Sequence, residues 1–254
     1  MNRLLAVARA TLAEAIRHRI LYLLAIFALA LIAGSRLLAL LTVGEDAKII
    51  KDVGLSAINV FGLLVALFVG VGIIFRELER RTVQVTLAAP VARWEYLLGK
   101  YAGLAAAISL NTLLMTAALS VILVLHGAFD FPILVAAFLL WIELLFITAA
   151  AVFFSSFSTP IFCAMFTAAI YVVGHLAWSL PLFEQKLPRG LWQSLVRLVY
   201  LFLPDLEYGD VRAMAVHGIP IPPERVLWAS VYELAYAGIL LLIGCLAFRR
   251  RDLV

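Results

Sequence analysis

The sequence predicts an all-α polytopic membrane protein, and three observations carry that expectation. Of its 254 residues, 65% are hydrophobic and only 14% are charged, whereas a soluble domain is about half apolar and about a quarter charged. A mean hydropathy of +1.07 means more apolar surface than a soluble fold of this length can hide. The apolar residues also fall in long unbroken runs, without the alternation that barrel strands require. Lipid is therefore the solvent, and each span must satisfy its own backbone polar groups as a helix.

About 30 Å of hydrocarbon at 1.5 Å per residue asks for roughly 20 apolar residues per span. Windows at 20–41, 55–75, 101–125, 133–154, 161–180 and 227–248 meet this, giving six transmembrane helices. Basic residues orient them. Arg3, Arg9, Arg17 and Arg19 precede the first span, Arg76, Arg80, Arg81, Arg93 and Lys100 lie between the second and third, and Arg249, Arg250 and Arg251 follow the last. With an even span count these groups share one side, expected to be the cytoplasm, with both termini inside. Lys48 and Lys51 fall on the other side among Glu45, Asp46 and Asp52.

Residues 1–19 are expected to form a separate interfacial helix rather than a cleaved leader. Leu4, Leu5, Ala8, Leu12, Ala15 and Ile16 share one helical face, with Arg3, Glu14 and Arg17 opposite. Residues 20–254 make the membrane-spanning bundle. Within it, 181–226 reads as an external segment containing "GLWQSLVRLVYLFLP", too apolar for a solvated loop and short for a span, so a helical dip into the outer leaflet is expected. Pro220, Pro222 and Pro223 break the chain before the last span.

Segment 76–100 holds an unusual concentration of charge: Arg76, Glu77, Glu79, Arg80, Arg81, Arg93, Glu95 and Lys100 between two apolar runs. "ELERRTVQVTLAA" suits a short helix with Val83 and Leu87 one turn apart. Pro90 ends it, since proline lacks an N–H and disfavours helix in the preceding residue. The next helix is expected to start near Ala92, with Glu95 in its first turn, where the helix dipole favours an anion. An ordinary positive-inside loop accounts for the basic residues. It leaves Glu77, Glu79 and the proline between two helix-like runs without a reason.

Covalent chemistry finds no support. The sequence has no phosphate-binding loop, no H-E-x-x-H and no G-x-S-x-G. His18, His126, His175 and His217 are scattered without metal-ligand spacing and read as residues at membrane edges, so no metal set is legible. Cys163 and Cys245 lie in apolar runs as packing residues. The net charge of +4 is spent on span ends, so nucleic acid is not an expected partner.

"ELERRTVQVTLAAPVARWEYLLGKYAG" resembles the segment between the second and third spans of ABC-2-type exporter permeases, in the branch that includes the permease of nitrous-oxide-reductase maturation. The matching features are Glu77, Glu79, Arg80, Arg81 and Thr82, then Pro90 and Arg93, then Tyr96, Leu97, Leu98, Gly99 and Lys100. "LPDLEYGDVRAMAVHGIPIPPERVLWASVYELAYAGILLLIGCLAFRRRDLV" resembles that family's closing segment, last span and basic tail. The resemblance implies the membrane subunit of an ATP-driven exporter in a bacterial or archaeal cytoplasmic membrane. It implies no cofactor in this chain, ATP and magnesium being held by a separate ATPase subunit, and pairing with a second permease copy or paralogue. Segment 76–100 would be the coupling helix seated on the ATPase, through Glu77, Glu79, Arg80, Arg81, Thr82, Val83, Leu87, Pro90 and Arg93. Residues 1–19 would be the connecting helix, and the dip at 190–203 the outer-leaflet hairpin.

Polar residues inside spans need separate reasons, because a mid-helix carboxylate costs about 2.5 to 3.5 kcal/mol on insertion scales. Glu143 lies mid-span, and Asn111 heads a polar side of the third span with Ser109, Thr112, Thr116 and Ser120. A substrate pathway and interhelical hydrogen bonding both account for them. Arg36 and Glu233 sit at similar depth and are a candidate ion pair between the first and last spans. Gly99 and Gly103 permit close helix approach. Two rivals stand beside the exporter: a secondary transporter or channel without an ATPase, and an intramembrane enzyme.

Overall fold

The computed structural model describes residues 2–39, 46–72, 92–180 and 203–249, with side chains at 3–35, 46–72, 92–180 and 203–248. It is helical, and no strand occurs among the described residues. In chain order the helices are α1 (Asn2–Arg17), α2 (Arg19–Ala39), α3 (Asp46–Val65), α4 (Arg93–Leu125), α5 (Phe131–Ser155), α6 (Pro160–Leu176), α7 (Arg212–Val216) and α8 (Pro223–Arg249). A π-helical turn, Ala66–Gly70, continues α3, and a 3-10 turn, Ala177–Ser179, continues α6.

Five helical stretches are long and apolar enough to cross a membrane, and the bent pair α1–α2, kinked by 59°, brings the number to six if counted as one span. The chain is a multi-pass membrane protein. The expected windows therefore recur as α2 to α6 and α8, with one shifted boundary. The second span was expected from residue 55, but α3 begins at Asp46. Its first turns carry Asp46, Lys48, Lys51 and Asp52, so these charges stand on a helix and not in a loop. Lys51 is buried and pairs with Asp130, the residue just before α5. That ion pair lets a helix extend past its apolar window while keeping a buried ammonium satisfied.

The start of α4 is as the sequence suggests. Ala92 is extended, its N–H donates to Glu95 Oε2 at 2.9 Å, and the helix runs on from Arg93. At the other end of α4, Gly127 takes a left-handed φ of 64°, and Ala128 N–H donates back to Leu123 O, closing orphan carbonyls. Pro160 and Pro223 open α6 and α8, where a missing N–H removes no helical bond.

The core is built around α5, which is buried along most of its length and packs against α3, α4, α6 and α8. One apolar cluster gathers Tyr96, Leu97, Leu144, Ile147, Val152 and Phe248. A second gathers Ile50, Leu123, Ile133, Leu139, Leu140 and Val211 towards the opposite end from α1. Lipid is as apolar as leucine, so such packing is held by van der Waals contact and interhelical hydrogen bonds, not by transfer from water. Trp141 Nε1 donates one such bond to Ser109 Oγ at 2.8 Å, linking α5 to α4.

The N-terminal helix packs on protein more than the amphipathic pattern implied. Its buried line is Val7, Thr11 and Ala15, while Leu5, placed on the apolar face by sequence, is 47% exposed. The receiving surface is Gly99 and Gly103 of α4. A Cβ on Gly103 would lie 2.6 Å from the backbone oxygen of Ala8, and one on Gly99 would lie 2.8 Å from Val7 Cβ. The helix that meets these glycines is thus α1.

Candidate functional site

The expected motor-contact residues Glu77, Glu79, Arg80, Arg81, Thr82, Val83, Leu87 and Pro90 lie outside the described residues. Arg93 is described. It opens α4, and its Nη1 donates to the carbonyl of Phe248 at 3.2 Å. This carbonyl belongs to the last turn of α8, where helical acceptors lack internal partners. Tyr96 stacks on Phe248 with ring centroids 6.0 Å apart. The start of α4 is thereby tied to α8 through Arg93 and Tyr96 in its first turn, and to α1 through Gly99 and Gly103 over the turns that follow.

The pathway candidates separate. Asn111 is buried and donates Nδ2 to Met115 Sδ at 3.4 Å, within its own helix. Ser109 and Ser120 donate to carbonyls one turn back. Ser109, Thr112 and Thr116 line a cleft of about 320 Å³ between α4 and α5, walled by Phe138 and Trp141. Glu143 belongs elsewhere.

Glu143 is 3% exposed and sits in a polar cluster built from four elements. From α6, His175 Nε2 comes within 3.6 Å of Glu143 Oε1, beyond hydrogen-bond length. His175 Nδ1 bonds the carbonyl of Tyr171 at 3.2 Å, and Tyr171 donates its hydroxyl to Asn59 of α3 at 3.2 Å. The segment from 203 to 216 folds back on the bundle and brings Glu207, Asp210 and Arg212 within electrostatic reach of Glu143. Leu206 anchors that segment: its N–H donates to Gly174 O at 3.1 Å, and its side chain is buried against α6.

Arg212 Nε donates to both carboxylate oxygens of Asp210, at 3.0 and 2.9 Å. Burial alone would raise the Asp210 carboxyl, but the hydrogen bonds and charge of Arg212 hold it below the usual value. The same hydrogen bonding raises Arg212. Lys48, Asp52, Asp210, Arg212 and His217 line a vestibule of about 630 Å³ that shares Asp210 and Arg212 with the cluster.

Glu233 of α8 is also buried, at 2% exposure. Its carboxylate lies against Gly209, where any added Cβ would collide with Oε1. The side chain of its candidate partner, Arg36, lies outside the described residues. Overpacking of this kind costs about 1 to 3 kcal/mol. Gly209→Val should therefore lower the unfolding temperature of the purified chain, and Glu233→Ala in the same chain should recover much of the loss. Two losses that simply add would show that the residues do not meet.

Sequence reasoning found Glu143 and Glu233 but not the company of Glu143. The signal available was "LPDLEYGDVR", which crowds Asp205, Glu207, Asp210 and Arg212 beside a span. Its meeting with His175 depends on chain return, which no spacing rule encodes.

Comparison of the chain with the curated proteins returns no match. A family model described as ABC-2 family transporter protein matches residues 5–253, nearly the whole length. With its apolar spans and its polar cluster buried among them, the chain belongs to the ABC-2 family of transporter proteins and is a permease component of the ATP-binding-cassette class.

Proposed function

We propose that this chain couples ATP hydrolysis on a separate subunit to export across the cytoplasmic membrane, with segment 76–100 as the part the motor grips. The α1 end of the bundle is then the cytoplasmic end, as the basic residues there imply. The observation that carries this reading is the locking of the start of α4, where that segment ends, to α1 and α8. A push delivered just ahead of Arg93 would move three helices together instead of bending one. Charged groups on a stiff element set register and partner choice at such a contact more than they add affinity. The working assembly pairs two permeases, identical or paralogous, with two ATPases. Its motifs at Pro90 and Arg93 support placing it in the branch of the nitrous-oxide-reductase maturation permease.

A second reading, transport driven by an ion gradient without an ATPase, draws support from the buried Glu143, His175 and Glu233. Vesicles containing the chain with and without its ATP-binding subunit separate the two. The first reading expects transport only with both subunits and ATP. Uptake driven by a gradient through the chain alone would overturn it.

A further inference from the structure

We infer that the polar cluster around Glu143 is a binding site for a divalent transition-metal cation, held by His175, Glu207 and Asp210 with Glu143 beside them. This goes beyond the coupling reading and does not depend on it. One ligand atom each from His175, Glu207 and Asp210 lies within 4.8 Å of the other two. Zinc-like ions take nitrogen and oxygen ligands at roughly 2.0 to 2.2 Å, which puts ligand atoms at most about 4.4 Å apart. A small rotation of side chains spans that difference.

Two further observations, independent of this spacing, point to a cation. The carbonyl of Tyr171 only accepts, so His175 Nδ1 is the protonated nitrogen, donating at 3.2 Å. Nε2 is then left with its lone pair, the tautomer that second-shell carbonyls impose on ligating histidines. That lone pair faces Glu143 Oε1 at 3.6 Å. Neither atom has a hydrogen-bond partner, and Glu143 is more than nine-tenths buried. A buried carboxylate oxygen and an imidazole nitrogen that face each other without a hydrogen bond are satisfied by a positive centre between them. That centre is a cation or a shared proton, and titration with zinc separates the two.

Charge agrees. Glu143, Glu207 and Asp210 are set against the single guanidinium of Arg212, and Arg212 is engaged in orienting Asp210, as outer-shell donors do for ligating carboxylates. The vestibule lined by Lys48, Asp52, Asp210, Arg212 and His217 abuts the cluster at Asp210 and Arg212. One imidazole with carboxylates and no thiolate suits zinc, manganese or cobalt over copper(I).

The test uses the full chain, purified without a histidine tag and stripped with a chelator, then titrated with zinc by calorimetry and with cobalt(II) by visible absorption. One ion per chain is expected. His175→Ala and Glu207→Gln should each weaken binding by about tenfold or more, whereas His126→Ala, at the end of α4, should leave it unchanged. Zinc should also raise the unfolding temperature of the unaltered chain, a readout that survives if the variants do not fold. Absence of stoichiometric zinc uptake by the unaltered chain would overturn the site and show that a shared proton satisfies the cluster. Equal binding by the His175→Ala chain would overturn it as adventitious.

Discussion

Reversing Arg80 and Arg81 together, each to glutamate, is expected to abolish ATP-driven transport while leaving the bundle assembled. Both residues lie in the charged stretch of sequence between α3 and α4, outside every span expected from hydropathy. The four-unit change in charge converts attraction to repulsion at a contact whose register is set by charge, and like charges facing one another cost several kcal/mol. Each 1.4 kcal/mol is a factor of ten in association, so a loss of at least 100-fold in coupled rate is expected. The measurement is substrate transport and ATP hydrolysis in the same vesicles, with gel filtration to check assembly. Hydrolysis that persists without transport, or an ATPase that no longer binds, is the predicted outcome; unchanged transport removes the handle.

The second large effect is expected at Gly99 and Gly103. The closest neighbours of a Cβ at Gly103 are the Ala8 carbonyl and Thr11 Cβ, both at 2.6 Å. Those are a backbone atom and a first side-chain carbon, so neither swings aside. Gly99→Val with Gly103→Val should therefore lift α1 from α4. Overpacking costs about 1 to 3 kcal/mol per site, enough at two sites to unseat α1 from α4. The spans should stay inserted, because α4 lies among apolar neighbours whichever way α1 points. The expected readout is proteolysis: residues 1–17 become cleavable, and ATP-driven transport falls. Proteolysis unchanged from the parent chain would mean that α1 is held by something other than these glycines.

The fold was largely legible because its cause is compositional. Continuous apolar runs of span length have one solution in lipid, so α2 to α6 and α8 follow from hydropathy alone. Glu95 marked the start of α4 through local chemistry that does not depend on the rest of the chain, whereas Pro223, expected to break the chain before the last span, is the first residue of α8. The start of α3 was missed because its first two turns are stabilised from a distance, by Lys51 reaching Asp130 across the bundle. Hydropathy sees such residues only as charged. The seating of α1 on α4 was not legible in the sequence of α1 for a related reason. Its docking surface is a glycine pair on another helix, which favours Val7, Thr11 and Ala15 over the larger Leu5.

The candidate site divides similarly. Glu143 and Glu233 announce themselves as carboxylates within apolar spans. The partners of Glu143 do not, since they sit on α6 and on a return segment whose docking depends on Leu206 finding α6 at Gly174. His175 looked like a residue at a membrane edge because one helix alone shows it so. Only the assembled bundle turns Nε2 toward a carboxylate.

The central claim is that an ATPase grips the segment between α3 and α4. Cross-linking tests it most directly. Cys163 and Cys245 are the chain's own thiols, so both are first replaced by alanine, and a single cysteine is then placed by Val83→Cys or Leu87→Cys. In membranes holding the chain and its ATP-binding subunit, a short thiol-reactive bifunctional reagent should join the two proteins from either position. The yield should change when ATP is added. Attachment to lipid alone, or no link to the ATPase with or without nucleotide, would contradict the account.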